Sequence, residues 1–325
     1  MQRLQFIAQR VLKGVVVLLG IIVLNFVLVR LAPGDPATVM AGEAGAADEL
    51  FLQQLRKEFG LDKPLHEQLV VYVKNVVTLD LGFSYRQQRP VSDLLMERAP
   101  ATLLLTGAAF VLSLVVGVAL GVFASMLVGR WSDSLITVFA LFFYATPIFW
   151  VGLMGVLLFS VTLGWLPSFG MYTVGANLKG AALAFDVSRH LVLPALTLAL
   201  FHMAVYARMT RASMLEMKDQ DFVRTARAKG LPESRIVRVH ILRNAVLPVI
   251  TIAGVKAGYL IGGSIVVETV FAWPGIGRLA FEAVLQRDYN VLLGVFFLTS
   301  FMVIAFNLIT DVVYSLIDPR IELGA

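Results

Sequence analysis

The chain is 325 residues long, 58% of them apolar and only 15% charged, with 27 basic residues against 22 acidic ones. Soluble domains carry nearer a quarter of charged residues, so this composition excludes a water-soluble protein and predicts a large lipid-facing surface. The absence of cysteine excludes disulfides and thiolate metal sites, and the basic excess fits cytoplasmic loops of a membrane protein better than nucleic-acid binding.

Six segments have the roughly 20 mostly apolar residues that a membrane-spanning helix needs. In the first, an apolar stretch from Gly14 to Val29 follows Arg3, Arg10 and Lys13, so the segment also resembles a secretory leader. We expect it to stay as an uncleaved span, because the small residues that could be cleaved lie well beyond the apolar run. Pro147 predicts a break in the third span. The six predicted spans are residues 11–31, 101–128, 134–163, 190–210, 245–271 and 291–316.

Residues 32–100 separate the first two spans and are predicted to form an extracytoplasmic helical segment. Part of this segment carries apolar residues at helical spacing, which predicts an amphipathic helix that lies on the membrane or packs against the spans. The stripe consists of Leu65, Leu69, Tyr72, Val73 and Val76.

The loop between the fourth and fifth predicted spans, residues 211–244, holds eight basic and four acidic residues. Cytoplasmic loops are enriched in Lys and Arg, so the loop is predicted to be cytoplasmic. Counting back through four spans places the amino terminus inside, beside its own basic residues, and the tail with Arg320 follows it. We therefore expect a multi-pass protein of the cytoplasmic membrane with both termini inside.

The same loop has the signals of a helix–glycine–helix elbow. Asp219 or Asp221 can cap a short helix that runs to Lys229. Gly230 suits the left-handed position after that helix, and Pro232 suits the start of a second helix leading into span five. The first helix carries an apolar patch flanked by basic residues, and with the glycine hinge this pattern favours docking into a protein groove.

Two features of span five are informative. Gly254, Gly258 and Gly262 recur every four residues and predict a smooth face for close helix packing. Lys256 lies about 200° round the helix from Gly254 at 100° per residue. Its charge is costly within a membrane, so it either pairs with Asp311 in span six, lines a wet path, or snorkels to the surface.

Several motifs occur in an order and spacing that resemble one family. The elbow has the sequence DFVRTARAKGL, followed by HILRNAVLPV. Further matching segments are APGDP after span one, ATPIFWVG in span three, ETVFAWPGIGRL after span five, QRDYNVLLG at span six and DPRI near the end. Together they resemble the permeases of ABC importers in the dipeptide, oligopeptide and nickel group, and the elbow resembles their coupling loop.

The elbow departs from the general pattern E-A-A-x-x-x-G of ABC permeases. The corresponding positions are Arg224, Thr225, Ala226 and Gly230, so the glutamate and the first alanine are replaced. The peptide group shows the same variant. The resemblance makes one stretch of the elbow the expected contact with an ATPase: Phe222, Val223, Arg224, Thr225, Ala226, Arg227 and Gly230.

The resemblance implies an all-α integral protein of the bacterial inner membrane with the fold of a type I ABC importer permease. It divides the chain into a first span (1–31), the extracytoplasmic segment (32–100) and a five-helix core (101–325) with coupling loop 211–244. The implied partners are a homologous second permease, two ATPase subunits and an extracytoplasmic substrate-binding protein. ATP and Mg²⁺ would bind the ATPases, because this chain lacks GxxxxGK[ST], and no metal or other cofactor is expected on it.

The implied function is import of short peptides, with glutathione or nickel chelates as the alternative cargo. Glu268 then lies near the outer mouth, where it binds a peptide amine or holds the turn at Trp273. An ion-coupled secondary transporter is the rival function, but no inverted repeat is evident. An intramembrane enzyme would need a catalytic set, and the four histidines form no H-E-x-x-H pair. No catalytic residue is predicted.

Overall fold

The computed structural model of the protein describes residues 2–31, 53 and 62–317. In this part of the chain helices predominate, and the only sheet is an antiparallel hairpin of β1 (Phe83–Ser84) and β2 (Arg89–Pro90). The prediction of an all-α fold is confirmed. The helices before the hairpin are α1 (Gln2–Leu31) and α2 (Leu65–Val77).

The helices after the hairpin form the bulk of the protein. They are α3 (Val91–Met126), α4 (Trp131–Ala145), α5 (Ile148–Gly155), the π-helical turn π1 (Val156–Thr162), α6 (Gly180–Lys218), α7 (Asp221–Ala228), α8 (Glu233–Arg235), the π-helical turn π2 (Ile236–Ile241), α9 (Leu242–Ala245), α10 (Leu247–Val270), α11 (Ile276–Gln286) and α12 (Tyr289–Ile317).

Four helices are each long and apolar enough to cross a membrane, namely α1, α3, α6 and α12. Two further candidates are bent pairs: α4 with α5 and π1, bent by 107°, and α8 to α9 with α10, bent by 41°. Counting each bent pair as one span gives six crossings among the described residues, the number predicted from hydropathy.

The sharply bent pair is counted as one span because its contacts advance along α6. The break lies at Pro147, as predicted. From α4 to the residues after π1, the contacts on α6 move from its residue 211 to its residue 189, which is about 33 Å at 1.5 Å per residue and close to the hydrocarbon thickness of a bilayer. The successive pairs are Asp133 with Arg211, Tyr144 with Phe201, Gly152 with Thr197 and Trp165 with Arg189.

Two predicted spans are longer in the structure than the apolar pattern indicated. The second was predicted from residue 101, but α3 begins at Val91 and continues through Pro100. The fourth was predicted as 190–210, but α6 runs from Gly180 to Lys218. Apolar residues mark only the part of a helix that lies in lipid, whereas backbone hydrogen bonding continues beyond it.

The structure forms two compact units, the first made of residues 1–99 and 279–308. In this unit α1 packs on α2, where the rings of Phe26 and Tyr72 lie 5.7 Å apart. The predicted apolar stripe of α2 is buried at Val76, whereas Leu65 is exposed. The grouping differs from the division made from the sequence, which placed all of span six with the core.

The hairpin of the first unit is fastened to the start of α12. The Ser84 hydroxyl donates a hydrogen bond to Asp288 at 2.5 Å, and the Asn290 amide donates to the Phe83 carbonyl at 2.9 Å. Asp288 also accepts the backbone N–H of Val291 at 3.2 Å. One carboxylate therefore caps α12 and holds the hairpin.

The second unit, residues 100–278 and 309–325, is built around α6. Two thirds of the apolar window of α6 is buried, against at most 28% for the other single spans. Two glycines of α3, Gly117 and Gly121, pack directly on this central helix. A Cβ atom at Gly117 would lie 2.9 Å from the Met203 carbonyl oxygen, and one at Gly121 would lie 2.5 Å from the Ala207 carbonyl oxygen.

We predict that Gly121→Ala lowers stability whereas Gly107→Ala, on the same helix, does not. A Cβ at Gly107 has nothing within 4 Å, so alanine there gains about 1 kcal/mol of helix propensity. At Gly121 the added methyl forces α3 away from α6, at a cost of about 1–3 kcal/mol. Thermal unfolding in detergent measures both, and equal melting temperatures for the two variants would contradict the close contact.

Candidate functional site

The elbow, residues 221–235, consists of α7, a tight turn and α8. Gly230 has φ +74°, the left-handed conformation that favours glycine. The N–H of Gly230 donates to the Arg227 carbonyl at 2.9 Å, and the N–H of Leu231 donates to the Ala226 carbonyl at 3.3 Å. This pair of bonds is a Schellman motif, which confirms the predicted glycine turn and gives the elbow a defined angle.

The predicted cap of α7 is wrong in its residue. Gln220 occupies the N-cap position in an extended conformation and makes no side-chain capping bond. Asp221 lies in the first turn instead, where its negative charge is favourable near a helix N-terminus. After the turn, Pro232 precedes α8 as predicted, and the helical path continues through π2 and α9 into α10.

The two faces of α7 differ in burial, which corrects the predicted contact surface. Val223 and Ala226 are 0% and 4% exposed and pack within the chain, so neither is available to a partner in this structure. Phe222 points the other way and is 40% exposed. Arg224 and Thr225 are also exposed. The apolar patch predicted as one surface is therefore divided between an inner and an outer face.

The arginines of the elbow contact its own acidic residues. The Arg227 guanidinium donates to Glu233 at 2.8 Å and joins α7 to α8 across the turn. This hydrogen bond raises the pKa of Arg227 above its ordinary value. Arg224 lies 3.4 Å from Asp221 within α7. Arg227, which was predicted to meet an ATPase, thus braces the elbow and remains exposed.

The inner face of α7 sits in a small apolar core at the base of the spans. This core includes the end of α6, π2 and α9, and the partly buried Val122 of α3 packs against it. Helix α7 is therefore packed against the end of span four and against the helices that lead into span five. Its buried members are Met214, Val223, Ala226, Ile236, Val237, Ile241 and Ala245.

Two polar contacts that the sequence reasoning missed fasten the same end of the unit. Arg211 of α6 donates twice to Asp133 of α4, at 2.7 and 2.8 Å, and Asp133 is 6% exposed. The Lys218 ammonium donates to the Ser125 carbonyl of α3. The only sequence signal for the ion pair was Asp133, an acidic residue at the start of an apolar run. Its partner Arg211 is 78 residues away and could not be identified from spacing.

The predicted glycine face of α10 is used unequally. A Cβ at Gly254 would lie 1.9 Å from Thr310 Cγ2, so α12 touches the backbone of α10 there. Gly258 is buried. Gly262 is exposed, and a Cβ at this position has nothing within 4 Å in the described part of the chain. The close contact is thus found at Gly254 and is not made at Gly262.

Lys256 lies on the side of α10 away from this contact. Its ammonium lies 5.4 Å from the centre of the Tyr259 ring, and it is close enough to His202 of α6 for an electrostatic interaction. The side chain of Asp311, the predicted partner, lies outside the described residues. Because α12 meets α10 at Gly254, about 200° round the helix, the position of Lys256 gives the predicted pair no support.

Glu268 is fully buried at the far end of α10. One oxygen accepts hydrogen bonds from the Thr102 hydroxyl at 2.8 Å and the Ser264 hydroxyl at 3.0 Å, and the other accepts the Arg278 N–H at 3.0 Å. The carboxylate therefore holds the turn after span five, which is one of its two predicted roles. Its complete burial argues against contact with cargo in this structure.

The turn held by Glu268 is also anchored by Trp273. This side chain is 0% exposed, and its ring N–H donates to the Ala101 carbonyl at 2.8 Å. Thr102 accepts the Ile276 N–H at 2.8 Å, so α3 is joined twice to the segment that follows α10. Within the residues that the structure describes, no three His, Asp or Glu side chains could share a metal ion.

Comparison with family models gives two matches that together cover nearly the whole chain. Residues 117–323 match the model described as binding-protein-dependent transport system inner membrane component, and residues 3–106 match the N-terminal model of the same transport systems. The chain belongs to this family. It is therefore a multi-pass permease of the inner membrane that serves a transport system dependent on a binding protein.

The permease is similar along its full length to several curated relatives. It is 41% identical to the oligopeptide transport system permease protein AppB of Bacillus subtilis, over 98% of this chain and 99% of the relative. It is 40% identical to the di/tripeptide transport system permease protein DppB of Pseudomonas aeruginosa and 42% identical to the glutathione transport system permease protein GsiC of Escherichia coli, each over the same shares.

A solved structure supports the fold of the permease. The methionine ABC transporter MetNI, in inward-facing conformations, contains a chain that aligns with a TM-score of 0.55 over 69% of this permease and 96% of that chain, at 19% identity. This likeness confirms the predicted ABC importer permease fold.

We predict that Glu268→Ala destabilises the permease by about 3 kcal/mol, because several buried donors lose their acceptor. Glu216→Ala is the matched control, since Glu216 is exposed on α6 and its loss should change the melting temperature little. A Glu268→Ala variant that is as stable as the wild type but defective in transport would instead restore the role in cargo binding.

Proposed function

We propose that this permease is one of two membrane subunits of an ATP-driven importer that carries short peptides into the cytoplasm. The observation that carries the proposal is the elbow. It is a braced helical turn with an exposed aromatic side chain on its outer face, and its inner face is buried in the apolar core at the base of the spans. The names of the peptide permeases at about 40% identity over 98% of the chain support the cargo. The expected partners are two ATPase subunits, a homologous second permease and an extracytoplasmic binding protein.

The elbow is suited to transmit force from an ATPase. Its outer face offers Phe222 to an apolar groove, and its inner face is packed on α6 and π2. When two ATPase subunits close around ATP and Mg²⁺, each would move the permease elbow that is bound to it. Interior packing is dense and poorly compressible, so the movement passes to spans four and five rather than being absorbed in the turn.

We place the elbow and both termini on the cytoplasmic side. The loop around the elbow holds eight basic and four acidic residues, and short loops with excess Lys and Arg remain inside. An ATPase that uses cellular ATP must meet the elbow on that side. The turn held by Glu268 then lies at the outer mouth, where the binding protein delivers its cargo.

We place the second permease against the exposed part of α10. Gly262 and Gly263 are both exposed, with open space where a Cβ would stand. Small residues allow two helices to approach closely in lipid, where packing rather than the hydrophobic effect drives association. The predicted glycine face then serves two contacts, one within the chain at Gly254 and one with the partner.

We assign Lys256 to the cargo pathway. Its position away from α12 and beside exposed Tyr259 leaves the charge on the side of α10 that a path between two permeases would use. An intramembrane lysine is stabilised by water or by an anion. Peptides supply such an anion in their carboxylate, and so does glutathione, which the 42% identity to a glutathione permease keeps as the second candidate cargo.

We predict ATP-dependent uptake of a labelled dipeptide by proteoliposomes that contain both permeases and both ATPases, with the binding protein outside. Glutathione is added as a competitor, and strong inhibition at equal concentration would identify it as the better cargo. Uptake that needs an ion gradient and continues without the ATPases would show a secondary transporter and overturn the proposal.

We predict that Phe222→Ala weakens ATPase binding by about 2 kcal/mol, as expected for an aromatic anchor at an interface. Its neighbour provides the control. Val223→Ala opens a cavity in the apolar core beneath α7 and should destabilise the permease by about 1–3 kcal/mol, which lowers its melting temperature. Its effect on ATPase affinity should be smaller. Equal losses of affinity with unchanged stability would show that the two faces of α7 had been assigned incorrectly.

We predict that Lys256→Met reduces the ratio of uptake of a free-acid peptide to uptake of its C-terminal amide by about fivefold, for the loss of roughly one charge contact. The binding protein has the same preference in the assays of the wild type and of the variant, so its contribution cancels when the two ratios are compared. Lys256→Arg should keep most of the ratio. An unchanged ratio in Lys256→Met would remove Lys256 from the pathway.

A further inference from the structure

A cavity of about 280 Å³ lies between α3, α4 and α6 in the second unit. Most of its wall is aliphatic or aromatic, and its charged members are two arginines of α6. The lining residues are Ala124, Ile136, Thr137, Ala140, Leu141, Tyr144, Ala204, Ala207, Arg208 and Arg211. An apolar cavity with a cationic edge matches an amphiphile that has an anionic head.

The two arginines are not equivalent. Arg211 is neutralised by its double hydrogen bond to Asp133. Arg208 is exposed, lies 5.4 Å from the centre of the Tyr144 ring and makes no ion pair with any residue that the structure describes. Tyr144 also stacks on Phe201 at 5.1 Å, which holds its ring under the guanidinium. The available charge of the cavity is therefore that of Arg208.

The place of Arg208 in the span sets the chemistry of its partner. It precedes Arg211 by one helical turn, about 5 Å deeper along α6 than the Asp133 pair at the start of α4. The outer face of α4 is strongly apolar and exposed at Leu135, Val138 and Phe142, as expected of a helix that borders lipid. A cation at this level lies near the boundary between headgroups and acyl chains.

We propose that this cavity binds one anionic phospholipid, with its phosphate on Arg208 and an acyl chain along the alanine-rich wall. A guanidinium recognises a phosphate through paired hydrogen bonds, and an aliphatic wall takes an alkyl chain more readily than a peptide backbone, whose amides would lack partners. With the elbow on the cytoplasmic side, the lipid belongs to the cytoplasmic leaflet. The site goes beyond the transport function and would link the α4–α6 contact to membrane composition.

The test counts bound lipids by native mass spectrometry on the purified permease. The protein is incubated with equal amounts of phosphatidylglycerol and phosphatidylethanolamine of the same acyl chains. The wild type should retain phosphatidylglycerol about fivefold better, the preference expected from one basic residue near an anionic headgroup. Arg208→Ala should remove the preference, and Arg208→Lys should keep part of it.

Two further variants separate the site from general surface charge. Arg243→Ala removes an exposed arginine elsewhere near the membrane and should leave the preference unchanged. Ala140→Phe fills the cavity while sparing Arg208, and should reduce retention of both lipids; its melting temperature checks that the fold is intact. An Arg208→Ala variant that keeps the wild-type preference overturns the proposal, and so does displacement of the lipid by a short free-acid peptide, which would make the cavity a cargo site.

Discussion

The packing of α7 onto the base of the spans is the interaction on which the functional interpretation depends. Val223 and Ala226 are buried against the end of α6 and against π2, while Phe222, next in sequence to Val223, is exposed. A helix of eight residues would not be stable alone in water, so its conformation is maintained by this buried packing and by the Gly230 turn. In the proposed importer, a partner bound to the outer face of α7 would therefore act on the spans themselves.

The opposite end of the second unit is held by polar contacts instead. Glu268 accepts hydrogen bonds from hydroxyl and backbone donors of α3, of α10 and of the start of α11, and Trp273 adds a second link to α3. Removing one partner of such a buried charged group is strongly destabilising, because the remaining partners stay buried without compensation. Helix α10 is thus tied firmly at its C-terminal end, while its N-terminal end continues from the elbow through a bend of 41°.

Much of the candidate site was predictable because it rests on local rules. A glycine after a short basic helix indicates a left-handed turn whatever its surroundings, and Gly230 has φ +74°. The side of α7 that would be buried was not predictable, since Phe222, Val223 and Ala226 are all apolar and only the partner helices decide between them. The same limit applies to Arg227, whose acidic partner Glu233 depends on the angle of the turn.

The sequence by itself determined that the chain crosses a membrane about six times, where its third span breaks and which family it resembles, because these follow from apolar length, from proline chemistry and from motif order. Only the tertiary structure decided that Asp133 pairs with Arg211, that Glu268 is enclosed, and that α12 meets α10 at Gly254. These contacts join residues far apart in the chain, and side-chain spacing along one helix cannot specify which neighbouring helix lies against it.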